Sequence, residues 1–129
     1  FERSGSATVD LMFSRAKQAF LAKDTNLALD LLDYITALQP GFAEAYHRRA
    51  LIHLTRQDEE AALRDLRAAL GLEPRHYLAM TGLAILLRNS GNTKGAYKVL
   101  VRVRELNPLI PEIKETLEKL RQDVEGQKI

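Results

Sequence analysis

Apolar residues recur along this chain at three- and four-residue intervals, in segments of about fourteen residues separated by two to five polar ones. The spacing predicts helices over 9–22, 25–38, 43–56, 59–71, 77–90 and 93–106, and a last one over 110–125. The connections are short, so successive helices are expected to pair antiparallel. In the last segment Ile110, Ile113, Leu117, Leu120 and Val124 share one face, with Pro111 near the first turn. Its other face carries Glu112, Glu115, Glu118, Lys119, Gln122 and Asp123, the polar exterior that the end of a stacked array requires.

The segments repeat. Pro40, Pro74 and Pro108 are 34 residues apart, and the same interval joins Ala28, Ala62 and Ala96; Ala16, Ala50 and Ala84; Leu32, Leu66 and Leu100; and Asp24, Asp58 and Asn92. Each column has a physical role. Asp24, Asp58 and Asn92 offer a short side-chain oxygen to the free amides at a helix start, and so are expected to cap the second helix of each pair. The prolines end those second helices by disfavouring helical geometry in the residue before them. The alanines are expected where the two helices of a pair cross, since a methyl group permits close backbone approach without a void.

Composition narrows the picture further. The chain has 129 residues and 46% hydrophobic positions, enough for a packed core, and its net charge of +2 is too small to point to nucleic acid. There is no cysteine, which removes disulfides, thiolate metal sites and cysteine nucleophiles. No apolar run reaches the roughly 18 residues needed to span a bilayer. The first residue is Phe1 and not a methionine, so residues 1–8 are read as the end of an upstream region, residues 9–126 as a single domain and 126–129 as a tail.

On the columns already quoted, the chain resembles the tetratricopeptide repeat family over about residues 9–108, with repeats 9–42, 43–76 and 77–110. The tryptophan-like position of that family holds Met12, Tyr46 and Met80. Its leucine position holds Arg15 and Arg49 in two repeats, and its tyrosine position holds Ala19, His53 and Leu87. The resemblance implies an all-α fold: a right-handed α-solenoid of three helix-turn-helix repeats plus a capping helix at 110–125. The stretch from Ser4 to Met12, with Ala45 to Ala50 and Glu73 to His76, is also similar to small exported repeat proteins of alphaproteobacteria. That similarity implies a periplasmic protein with a helical segment upstream; the cytoplasm is the alternative.

In the repeat family the first helix of each pair lines a concave groove. The facing positions here are Asp10, Phe13, Lys17 and Phe20; then Glu44, His47, Arg48 and Leu51; then Leu78, Thr81, Ile85 and Arg88. Apolar anchors flanked by charge suit a peptide or a helix as ligand. Each apolar member is also a candidate for the core between repeats. Some family members clamp a chaperone's C-terminal carboxylate with lysine, asparagine and arginine. Phe13, Lys17, Arg48, Leu78 and Gly82 occupy those positions, and only Lys17 and Arg48 retain a suitable donor.

The expected function is therefore a protein-interaction scaffold without catalysis and without a cofactor. The alternative is a structural role as a homo-oligomer. Lys94, Lys98 and Arg102 recur every four residues and form a basic stripe, read either as a solvated face or as a contact for an acidic partner. Aromatic residues are too scattered for a nucleic-acid stacking platform. His47 and His53 are six apart on one helix and point to different faces, so no metal site is expected from them or from His76. Residues 91–95, glycine at both ends, lack the strand-to-helix setting of a phosphate loop and read as a turn and cap.

Overall fold

The computed structural model describes residues 4–126. Residues 1–3 of the N-terminal segment and 127–129 of the tail lie outside the described residues. Seven α-helices run through the rest: α1 (Ala7–Leu21), α2 (Thr25–Leu38), α3 (Ala43–Thr55), α4 (Glu59–Leu72), α5 (Tyr77–Asn89), α6 (Thr93–Leu106) and α7 (Ile113–Gly126). None is long and apolar enough to cross a membrane.

The capping column behaves as its chemistry requires. The Asp24, Asp58 and Asn92 side chains accept from the amides of Leu27, Ala61 and Gly95 at the starts of α2, α4 and α6. A second column emerges beside it. Lys23, Gln57 and Gly91 adopt φ of 64°, 61° and 86°, the left-handed geometry that turns the chain between the helices of each pair. The backbone amides of Asp24, Asp58 and Asn92 then reach back to the carbonyls of Ala19, His53 and Leu87, closing the end of the first helix. Only the third of these turns uses glycine, the residue that enters this conformation without steric penalty.

Contacts divide the chain into two compact units, residues 1–74 and 75–129. In the first, α1 pairs with α2 and α3 with α4, while α3 also packs on α2. Its core joins Val9, Phe13, Ala16, Leu32, Ile35 and Ile52, with Phe13 and Phe42 meeting edge to face at 5.0 Å. Ala28, Ala50 and Ala62 are fully buried, as expected of close helix crossings. In the second unit, α5 pairs with α6 and α7 packs on α6 around Leu100, Val103, Ile113, Leu117 and Leu120.

The last helix begins later than its apolar pattern suggests. Glu112 has φ of 65°, so residues 110–112 form a turn and α7 starts at Ile113. Pro111 precedes the helix and does not occupy its first turn. Ile110 still packs partly buried against the core it was expected to cover.

Candidate functional site

The first helices of the pairs place some of the groove candidates at the surface and bury others. In the first unit, Phe13 is 2% exposed and belongs to the core, where its ring meets that of Phe42 edge to face. Glu44 and His47 are each 3% exposed. The Glu44 Oε1 lies 3.2 Å from His47 Nδ1 and 3.2 Å from Arg48 Nε, so the carboxylate is engaged by its own helix. Phe13, Glu44 and His47, expected to face a partner, do not present their side chains to solvent. Asp10 is committed as well: its Oδ1 accepts from the Ser4 amide and hydroxyl, both at 2.8 Å, fixing the chain before α1. The remaining four, Lys17, Phe20, Arg48 and Leu51, meet around one depression of about 20 Å³ over Leu32 and Ile52. Lys17 Nζ also stands 5.0 Å from the Phe13 ring centroid. That volume holds about one water molecule, too little for a partner's side chain.

The candidates on α5 border a wider opening than that depression. Thr81, Ile85 and Arg88 on α5 form one wall of a cleft of about 180 Å³. Leu100, Ile110, Ile113 and Leu120 supply apolar surface, and Pro111, Glu112 and Thr116 form the far edge. Ile85 is 39% exposed, and Arg88 stands exposed at the rim. An opening of this size accepts a branched or aromatic side chain, since an apolar cavity of about 150 Å³ takes up benzene. Leu78 is exposed on the same helix and does not line the cleft. The contribution of residues 110–112 was not legible beforehand. Glu112 is in left-handed geometry, and the turn it belongs to, Ile110, Pro111 and Glu112, lines the opening.

A third site was missed altogether. Arg49, at the position where the repeat family has leucine, donates from Nε and Nη2 to Asp65 on α4 at 2.9 and 2.8 Å. Its Nη1 donates to Asp33 Oδ1 and Thr36 Oγ1 on α2, both at 3.0 Å. One guanidinium thus ties three helices together. The hydrogen bond with Asp65 raises the Arg49 pKa above its ordinary value, against the opposing effect of burial. His53 Nε2 stands 3.5 Å from Asp65 on the same polar cleft. The available signal was the pairing of a charge at an apolar repeat position with Asp65 sixteen residues later.

The basic stripe lies exposed on α6, and Arg102 donates to Glu105 Oε2 at 3.1 Å, which neutralises one of its three charges locally. His76 is fully buried at the start of α5, where its Nδ1 accepts from the Ala79 amide at 3.1 Å. It therefore acts as a helix cap, with the ring proton on Nε2 when neutral.

Comparison with known proteins agrees with this architecture. The chain is 34% identical over 123 residues to a TPR repeat-containing protein of Rhizobium etli, covering 95% of this chain and 60% of that protein's length. Among solved structures, the Sgt2 TPR domain of Aspergillus fumigatus superposes with a TM-score of 0.83 at 20% identity, covering 95% of this chain and 83% of that one. The first TPR domain of Spaghetti, bound to an HSP90 peptide, gives 0.82 at 19% identity, covering 90% and 92%. At such identity the likeness shows the fold: all-α, built of tetratricopeptide helix pairs. A tetratricopeptide-repeat family model matches residues 53–120, just over half of the chain, and together with the 34-residue columns this places the protein in the tetratricopeptide repeat family.

Proposed function

We propose that this protein is a non-catalytic adaptor that holds a peptide or helix of another protein, with an apolar side chain of the partner anchored in the cleft between α5 and α7. The observation that carries the reading is the size and lining of that cleft: about 180 Å³, with apolar walls and an exposed Arg88 at its rim. Buried apolar anchors dominate the energy of such contacts, and a rim charge sets orientation and encounter rate. The peptide bound to the similarly folded Spaghetti domain supports the same use of the fold. The shallower patch formed by Lys17, Phe20, Arg48 and Leu51 supplies surface contact only.

Panning a phage-displayed random peptide library on the 129-residue chain tests this. Enriched peptides should carry a shared apolar residue and lose at least tenfold in affinity to an Ile85→Glu variant of unchanged helicity. Failure to enrich any peptide, or equal affinity for that variant, would refute the adaptor reading. We further propose a periplasmic location, the one implied by the resemblance of Ser4 to Met12 and of residues 45–50 and 73–76 to exported repeat proteins. Recovery of the native protein with the cytoplasmic fraction after osmotic shock would refute that location.

A further inference from the structure

The outer face of α2 carries apolar residues where a solvated helix would carry charge. Leu27, Tyr34 and Leu38 are 46%, 59% and 53% exposed, and the partly buried Leu31 completes a row at intervals of four, three and four residues. At roughly 100° per residue, all four fall within about 60° of arc. Thr36 and Asp33, which bond to Arg49 of α3, stand on the opposite side of α2. On α1, Leu11 is 55% exposed and Arg15 lies one turn further, on the face turned away from the α3 side occupied by Lys17 and Phe20. The four-three-four interval is the one with which two helices interdigitate side chain into gap.

Charge says what fits this face. Arg15 stands 34 residues before Arg49, at the same repeat position. Arg49 reaches an acid on the preceding helix pair, whereas Arg15 is exposed and without a hydrogen bond among the described residues. Asp30 is likewise exposed and unpaired, and it borders the apolar row on the edge away from α1. Arg15 and Asp30 lie at similar distances from the turn at residues 22–24, and so are about level along the antiparallel pair. The face therefore has an apolar centre, a positive edge and a negative edge. A two-fold axis parallel to α2 superposes the two apolar rows and brings Arg15 of each copy beside Asp30 of the other.

We propose that this face docks a second copy of the same chain, with the two α2 helices parallel and the Arg15 and Asp30 edges paired across the axis. Sedimentation of the 129-residue chain over a concentration series should show twice the 14.5 kDa protomer mass. Tyr34→Lys, at an exposed site outside the core, should give a monomer of unchanged helicity, while Ile85→Glu leaves the dimer intact. Arg15→Asp should weaken association by about tenfold, and adding Asp30→Arg should restore it. A monomer throughout the series would overturn the proposal. A dimer indifferent to Tyr34→Lys would place the contact elsewhere, and a charge swap that fails to restore association would exclude this two-fold arrangement.

Discussion

Arg49 offers the sharpest test of how the first unit is held together. Replacing it with leucine, the residue of the repeat family at that position, removes two bonds to Asp65 and one each to Asp33 and Thr36. The Asp65 side chain is only 8% exposed, so its carboxylate is left largely desolvated, with His53 Nε2 at 3.5 Å as a remaining polar neighbour. Losing one partner of a fully buried pair costs about 3–5 kcal/mol. The Arg49 side chain is 19% exposed, and His53 compensates in part, so about 2–3 kcal/mol is expected here. That is a large share of the roughly 5–15 kcal/mol that stabilises a small domain. Asp65→Ala alone should cost about 1–3 kcal/mol, because it leaves Arg49 still paired with Asp33. In the Arg49→Leu, Asp65→Ala double variant no charge is stranded, so the loss should fall at least about 1 kcal/mol short of the sum of the single losses. Urea denaturation followed by far-UV circular dichroism measures all three. Single losses that simply add, to within about 0.5 kcal/mol, would refute the claim that this pair is coupled.

Three further outcomes follow from the geometry. Ala62 has no exposed surface at the α3–α4 crossing, so Ala62→Leu should overpack it and lower stability by about 1–3 kcal/mol in the same assay. Gln57 holds φ of 61° where the next repeat uses Gly91, so Gln57→Gly should stabilise by up to about 1 kcal/mol; a loss of stability would show that the turn carries no strain. The Glu118 carboxyl is held below its ordinary pKa by hydrogen bonding to Arg121, so its contribution is present above the unfolded-state pKa and lost as pH falls through the folded one. Acidification below the usual carboxylate range should therefore loosen the solvent-facing side of α7 around Glu118, seen as faster amide exchange there, and Glu118→Gln should reduce that pH dependence, with Glu125 still paired to Arg121.

The helices and the repeat were legible because their causes are local. The 34-residue interval, the Asp24, Asp58 and Asn92 caps and the prolines act within a few residues of themselves, so their effects need no knowledge of distant parts of the chain. The left-handed turns were only partly legible: glycine marks the one at Gly91, while Lys23 and Gln57 carry no such sign. Facing positions on the first helices were inferred from periodicity, which gives direction but not depth. It therefore could not separate Phe13, Glu44 and His47, which are buried, from Phe20 and Ile85, which keep exposed surface. Burial depends on what packs opposite, and that is a property of the assembled helices. The Arg49 junction joins residues sixteen apart on three helices, and the α5–α7 cleft brings together residues of α5, α6, α7 and the turn at 110–112. The sequence by itself thus determined which segments are helical, where they stop and how often they recur, because those follow from short-range hydrogen bonding and side-chain period. Tertiary structure alone decided which charges meet and which apolar groups stay open to a partner, because both depend on distances between side chains far apart in the chain.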